Sequence, residues 1–374
     1  GSQTKVGTSE NTFTYNLNGN TKPENYDIEL VYGKLEVTPV TEKITVTIKG
    51  HTETVKYDGD EHSVTGYDVT IPAGSLYTEK DITFSGKAEA KGTDADTYNM
   101  GLKAENFANS NGNFANVEFV VKEDGKLTIT KRDVTLTSAD DEKVYDGTAL
   151  TNSIVTVSGD GFVTNEAPSY DVTGTITNVG EVKNIFTYEF ANGVNAGNYE
   201  ITTVYGQLKV TPVTETVTVT LKENSGTVKY DGTEKTVTGY TVESITNPLY
   251  TVNDFTFSGS AEVKGTNAGT YNMNLSPSDF TNTNTSNFPN VTFVVEDGQL
   301  VIQKRSVTLT SGSDSKAYDG TALKKETVEV TGDGFAKNEG ADYSDFASLT
   351  EVGETDNTFT YTLQSNTSAN NYDI

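Results

Sequence analysis

The sequence contains no cysteine and no tryptophan, and only two histidines and two methionines among its 374 residues. Without thiols there is no disulfide, no thiolate metal site and no cysteine nucleophile. With two imidazoles, transition-metal centres and Ser-His-Asp arrangements have almost no raw material. Long apolar runs are also missing, so no segment is suited to crossing a bilayer, and the N-terminus shows no signal peptide. Gly1-Ser2 reads as a cloning remnant, which leaves room upstream for an export signal. Basic residues are scarce: 27 Lys and Arg stand against 53 Asp and Glu, a net charge of -26. Such a field repels phosphate backbones and anionic lipid, so nucleic acid is not an expected partner and no membrane insertion is expected.

What the sequence does have is alternation. In Lys43-Ile-Thr-Val-Thr-Ile-Lys49 and Glu215-Thr-Val-Thr-Val-Thr-Leu221 apolar and Thr side chains take turns, the period of two that places them on opposite faces of a strand. No comparable helical stripe occurs. The 34 glycines often follow Asn or Asp, which marks tight hairpin connections where φ must be positive. A β-rich chain of this length divides into several domains.

The division is periodic. The triplet Tyr-Asp-Gly occurs at Tyr57, Tyr145, Tyr230 and Tyr318, and the first and third, like the second and fourth, are 173 residues apart. The same offset relates Tyr98 to Tyr271, Pro39 to Pro212, and Tyr26 to Tyr199 to Tyr372, with no net insertion between copies. Each unit of 173 residues holds two related modules, B and A, because successive triplets are 88, 85 and 88 residues apart. The expected boundaries are the rear part of an A module at 1–40, B at 41–131, A at 132–213, B at 214–305, and an A module lacking its last strand at 306–374. Joins such as Leu127-Thr-Ile-Thr-Lys-Arg-Asp-Val-Thr-Leu-Thr137 carry no Gly/Ser linker, so neighbouring modules are expected to be held stiffly together. Incomplete modules at both ends would leave unpaired sheet edges, and head-to-tail self-association through them is expected.

The set Lys-x-Tyr-Asp-Gly-Thr from Lys143, Asn195-Ala-Gly-Asn-Tyr199, Asn267-Ala-Gly-Thr-Tyr271, Tyr32-Gly-Lys-Leu35, Tyr205-Gly-Gln-Leu208 and Ile129-Thr-Lys-Arg132 resembles the MBG (YGX-type) and YDG repeat domains of bacterial cell-surface adhesin-like proteins. The resemblance covers nearly the whole chain. It implies an extracellular tandem array, cell-wall anchored or secreted, that projects a terminal binding domain, with host mucin or other glycans as partners through the parent protein. It implies no catalytic residues and no cofactor. Asp96 stands in Asp94-Ala-Asp-Thr-Tyr98 where the motif has Gly, so that Gly is not strictly required.

The triplets Tyr57-Asp58-Gly59, Tyr145-Asp146-Gly147, Tyr230-Asp231-Gly232 and Tyr318-Asp319-Gly320 are the strongest candidate feature. As structural turns, the Tyr packs at a strand end, the Asp carboxylate accepts a local N–H, and the Gly takes positive φ. As calcium sites, Asp58, Asp146, Asp231 and Asp319 would need companions such as Asp141 and Asp314, yet Asp140, Asp141 and Glu142 become Ser313, Asp314 and Ser315 in the later copy. The turn is the better reading, as a hairpin signature that marks where each module begins to fold back on itself. His51 and His62 fall opposite Asn224 and Lys235, so a site built by the repeat would not use them. Carboxylate pairs abound, but on a repeat array they read as solvating surface, and no enzyme activity is expected. Glycan contacts would need exposed aromatics; the candidates are Tyr240 and Tyr250 and the loops Lys103–Asn116 and Ser276–Asn290. A Lys-Asn isopeptide bond would join Lys143 or Lys316 to Asn198 or Asn371.

The sequence thus predicts an all-β, tandem, elongated array of small β-sandwich (Ig-like) or β-grasp-like modules. It would serve as the stalk of a surface adhesin, the alternative being repeats that themselves bind host glycans.

Overall fold

The computed structural model describes residues 1–374 and consists of strands, turns and seven three-residue 3-10 turns, with no α-helix. The all-β expectation holds. In the first B module, Ile44–Gly50 is the centre of a three-stranded sheet, parallel to Val117–Glu123 and antiparallel to Tyr67–Thr70. The chain then turns at His51, and Thr52–Lys56 enters a second three-stranded sheet. There it runs parallel to the central strand Lys126–Thr130, whose other neighbour, Thr97–Asn99, is antiparallel. Two antiparallel pairs complete the module, His62–Thr65 with Glu89–Gly92 and Ile82–Phe84 with Phe107–Asn109. The opening and closing stretches of the module therefore run side by side, in parallel, through both sheets.

The period of two supplies the core. Val46, Ile48 and Leu127 are fully buried and Ile129 nearly so, in one apolar cluster that draws on both sheets. Each such side chain contributes roughly 1.5–3 kcal/mol on burial. Where the two parallel stretches pass from sheet to sheet their backbones touch. A Cβ on Gly125 would lie 2.3 Å from the Met100 Sδ and 2.8 Å from the His51 carbonyl oxygen. At Gly206 it would meet the Ser138 carbonyl at 2.5 Å, and at Gly298 the Asn224 carbonyl at 2.4 Å. The Gly of the closing Gly-x-Leu signature is thus required by close approach, and the Leu two residues later (Leu127, Leu208, Leu300) is fully buried.

The A modules repeat the topology. Arg132–Ser138 is flanked by antiparallel Val155–Gly159 and parallel Tyr199–Val204, and Asp141–Val144 runs parallel to Gln207–Thr211. Near the C-terminus, Arg305–Ser311 pairs antiparallel with Val328–Gly332 and parallel with Tyr372–Asp373. Residues 1–40 contribute one antiparallel pair, Gly7–Asn11 with Gly33–Val37. The chain forms two compact units, one comprising 1–140, 152–174 and 183–207, the other 141–151, 175–182 and 208–374, so the divide passes through the middle A module.

Two differences between the B copies are instructive. The loop before Phe288 is one residue longer than that before Phe114, and the first copy restores the offset with an extra residue, Lys122, where its parallel ladder shifts between Val121 and Glu123. Glu223 replaces Gly50, and its buried carboxylate accepts the N–H of Leu275 at 2.5 Å and of Gly298 at 2.7 Å. In the first copy Asp124 does related work, accepting the N–H of Gly101 at 3.0 Å and of Leu102 at 2.9 Å.

The hairpin expected at each Tyr-Asp-Gly does not form. Thr52–Lys56, before the first turn, pairs with Lys126–Thr130, while His62–Thr65, after it, pairs with Glu89–Gly92. The leading strand is committed to its parallel neighbour, so the turn carries the chain into a different sheet. The positive φ is present nonetheless, at 89°, 77°, 81° and 75° for Gly59, Gly147, Gly232 and Gly320.

Replacing Glu223 by Ala strips two buried N–H groups of their acceptor at once. The second B module is expected to lose about 2–6 kcal/mol, at 1–3 kcal/mol for each unpaired buried donor. Hydrogen exchange at Leu275 and Gly298 should accelerate while Gly101 and Leu102 are unaffected.

Candidate functional site at the module joints

Each Tyr-Asp-Gly aspartate closes its own turn. Asp58 Oδ1 accepts the Asp60 N–H at 3.0 Å; Asp146, Asp231 and Asp319 accept the N–H of Thr148, Thr233 and Thr321, each at 2.9 Å. Each also has a nitrogen partner. In the A modules it precedes the triplet, Lys143 at 2.7 Å from Asp146 and Lys316 at 2.9 Å from Asp319. In the B modules it follows, His62 at 2.9 Å from Asp58 and Lys235 bonded to Asp231. Lysine and threonine bonds hold Asp146, Asp231 and Asp319 well below the usual carboxylate range. All three are exposed, so this contributes little to stability; the contribution is present above about pH 4 and lost as pH falls further.

The tyrosine of the triplet reaches out of its module. Tyr57, at the end of the first B module, is 4% exposed because it packs edge-on to Tyr199 of the A module that follows, with ring centroids 5.8 Å apart. Glu166 joins the two rings: its carboxylate accepts from the Tyr57 hydroxyl at 2.9 Å and from the Tyr199 hydroxyl at 2.5 Å. Around this centre Arg132 donates to the carbonyls of Tyr57, Gly161 and Asp160, and Lys56 pairs with Asp160 at 2.7 Å. Asn198, buried, receives the Ala95 N–H at 2.7 Å and donates to Asp94 Oδ1 at 2.8 Å. Two modules are thus tied through the Glu166 carboxylate, the Lys56–Asp160 pair, one guanidinium and one amide, charge-assisted bonds in partly buried surroundings.

The second B-to-A joint is built the same way. Tyr230 and Tyr372 stand 5.7 Å apart and donate to Glu339 at 2.5 and 2.6 Å. Arg305 bonds the carbonyls of Tyr230, Gly334 and Asp333, and Asn371 receives the Ala268 N–H at 2.8 Å. Burial foremost, then the bond to Glu339, pushes the Tyr230 hydroxyl up to about 12 and raises Tyr372; burial and the bond to Glu166 raise Tyr57 and Tyr199 in the same way.

The A-to-B joint uses the other class of triplet. Phe288 is fully buried between Tyr145 and Tyr250, edge-on to both at 5.5 and 5.3 Å. Asn287 accepts the Val213 N–H on its carbonyl and the Val179 N–H on its side chain, both at 3.0 Å. Residues 1–40 meet the first B module alike, Asn113 accepting from Val40 at 2.9 Å and Val6 at 2.8 Å.

Several sequence expectations change here. Tyr250 is 2% exposed and Tyr240 packs edge-on to Phe280, so neither offers a sugar-binding face. The loops Lys103–Asn116 and Ser276–Asn290 carry the joint residues Asn113, Phe114, Asn287 and Phe288, and are committed to neighbouring modules at those positions. Lys143 spends its ammonium on Asp146 and Thr148, and Lys316 on Asp319 and Thr321, while Asn198 and Asn371 are held at the joints, so the proposed Lys-Asn pairs are not assembled. His51 bonds the Thr65 carbonyl at 2.8 Å, and its counterpart Asn224 bonds that of Thr238, also at 2.8 Å; the imidazole and the amide fill one role. The triplet carboxylates, engaged within their turns, are not joined by two further acidic or imidazole side chains in any one group.

Sequence reasoning left Glu166, Glu339, Asp160 and Asp333 unassigned. The signal was available: both glutamates and both Gly-Asp-Gly-Phe segments recur at the 173-residue offset. The joint tyrosines must keep their protons to donate, and their raised values make this contribution fully present below about pH 10 and lost as pH climbs toward 12. Alkaline titration followed by tyrosinate absorbance should show a late-ionising set coupled to unfolding, reduced by Tyr230→Phe with Tyr372→Phe.

The sequence profile of the MBG domain matches residues 42–131 and 215–304. No curated protein matches the chain significantly. Among solved structures, the N-terminal eight Ig domains of Down Syndrome Cell Adhesion Molecule isoform 1.30.30 are similar at 10% identity over 85% of this chain and 49% of that one, with a TM-score of 0.14. This chain spans about half the length of that structure. Extracellular domains 3–5 of Drosophila OTK are similar at 12% identity over 72% of this chain and 100% of that one, with a TM-score of 0.13. Residues 42–131 and 215–304 are MBG domains, and the chain is a tandem-repeat protein in which they alternate with modules of the same topology.

Proposed function

We propose that this chain is a run of structural repeats from an extracellular bacterial adhesin-like protein, holding a binding domain away from the cell surface. The observation that carries the reading is the duplicated B-to-A joint, in which Glu166 and again Glu339 are gripped by tyrosines from two successive modules. Conserving a joint in detail between copies makes sense when the relation of one module to the next is the property in use. Aromatic pairs at these joints add about 0.5–1.5 kcal/mol each beyond their burial, and Arg132 and Arg305 satisfy carbonyls from both sides. The net charge of -26 favours solubility and keeps neighbouring molecules apart. MBG domains in tandem support the extracellular assignment, and a repeat of joints rather than of clefts fits a module without catalysis.

Solution scattering tests this. The chain should give a long particle of narrow length distribution, and Arg132→Ala with Arg305→Ala should broaden and shorten that distribution without removing the β-sheet signal. Specific glycan-array binding by the fragment would instead favour repeats that bind host mucin or other glycans themselves.

A further inference from the structure

Tension along the chain would enter and leave each module through strands that have a neighbour on both sides. In the first B module the entering strand, Ile44–Gly50, lies between Val117–Glu123 and Tyr67–Thr70, and the leaving strand, Lys126–Thr130, lies between Thr52–Lys56 and Thr97–Asn99. The second B module repeats this. Val217–Glu223 lies between Val291–Glu296 and Tyr240–Ile245, and Gln299–Gln303 between Gly226–Lys229 and Gly269–Asn272. In the middle A module Arg132–Ser138 and Gln207–Thr211 are likewise the central strands of their sheets. An edge strand under load peels away residue by residue, and none of these strands is an edge.

The two loaded strands also belong to one ribbon. Residues 44–56 and 117–130 run parallel, with six residue pairs from Ile44 opposite Val117 to Lys49 opposite Glu123, and five from Thr52 opposite Lys126 to Lys56 opposite Thr130. Backbone bonds carry the ribbon through its bend and seal both ends. The Lys126 N–H donates to the His51 carbonyl at 3.1 Å, the Ile44 N–H to that of Asn116 at 2.9 Å, and the Tyr57 N–H to that of Thr130 at 2.9 Å. In the second B module the pairs number six and four, and Val217 and Tyr230 close the ends on Asn290 and Gln303, each at 2.9 Å. The Tyr-Asp-Gly corner thus marks the point where the ribbon stops.

Because the two strands are parallel, the chain enters at one end of the ribbon and leaves at the other. Pulling slides one strand along the other and loads every pair together, whereas strands pulled from the same end would part like a zipper. Register opposes the slide as well. A slip of one residue, about 3.3 Å, breaks the whole ladder and turns Val46, Ile48, Leu127 and Ile129 from the core toward solvent.

We propose that each of these modules is a shear-loaded clamp, which keeps its fold under tension along the chain and then gives way in a single step. Losing the ribbon removes the central strand of both sheets, so no partial structure remains to form an intermediate. The clamp is a property of the strand pairing; that the protein uses it to bear load rests on the stalk reading above.

Single-molecule force spectroscopy on the full chain tests it. The sequence has no cysteine, so introduced pairs give defined handles. Glu42→Cys with Lys131→Cys pulls the first ribbon from opposite ends, and Asp60→Cys with Lys131→Cys pulls the same two strands from one end; all three side chains are exposed. The first pair should give one rupture and a lengthening of about 25–30 nm, at 3.3–3.6 Å per released residue. The second should open the ribbon at a severalfold lower force at the same loading rate. Glu215→Cys with Lys304→Cys should reproduce the first result in the second B module. Equal forces in the two geometries, or a shear-loaded module that yields in several small steps, would overturn the proposal. Neither outcome alters the particle length seen by scattering, so the clamp and the stalk reading fail separately.

Discussion

The three modules between residues 41 and 305 depend on two chain stretches that run parallel, side by side, and turn from one sheet into the next at the same level. The turn brings backbone against backbone, as at Gly125 and the His51 carbonyl, and leaves no room for a side chain on the closing stretch. Once that contact is made, the opening strand sits at the centre of the first sheet and the closing strand at the centre of the second. The remaining strands have only edges to occupy. Parallel pairing cannot be closed by a tight turn and needs a long crossover, so the whole middle of each module lies between the two paired stretches.

This arrangement also decides what the joints can be. The closing strand Lys126–Thr130 is followed at once by Arg132–Ser138, the opening strand of the next module. With no slack in the chain, the turn at the end of Thr52–Lys56 comes to lie beside the next module, and its tyrosine is the side chain that crosses over. Glu166 is then placed to accept from two hydroxyls that belong to different modules. An isolated module would leave Tyr57 exposed and Glu166 without its second donor, so part of the stability of each module is shared with its neighbour, as in other linear repeats.

Much of the plan was legible in the residues. Strand alternation, the 173-residue offset and the Gly-x-Leu closing signature are local patterns that need no knowledge of the fold. The positive φ of the triplet glycines was legible for the same reason. The joints were harder because their partners are about a hundred residues apart, and nothing near Tyr57 names Glu166. Tyr240 and Tyr250 were misread as surface residues for a related reason: a tyrosine hydroxyl suits solvent or a buried acceptor equally, and Tyr250 finds the Asp254 carbonyl at 2.9 Å. The histidines were read as positions that the repeat does not keep, and Asn224 and Lys235, which stand there in the second copy, make equivalent bonds.

The sequence by itself determined that the chain is β, that it repeats, where it turns and which face of each alternating strand is buried, because strand period and glycine each leave a mark within a few residues. Only the tertiary structure decided which strands pair, and in which direction, because hydrogen-bond partners are chosen by what is already in place rather than by the strand's own residues. For that reason Tyr-Asp-Gly reads as a hairpin in the sequence and stands in the folded chain as a corner between sheets, with its tyrosine turned into the neighbouring module at the three copies that begin with Tyr57, Tyr145 and Tyr230.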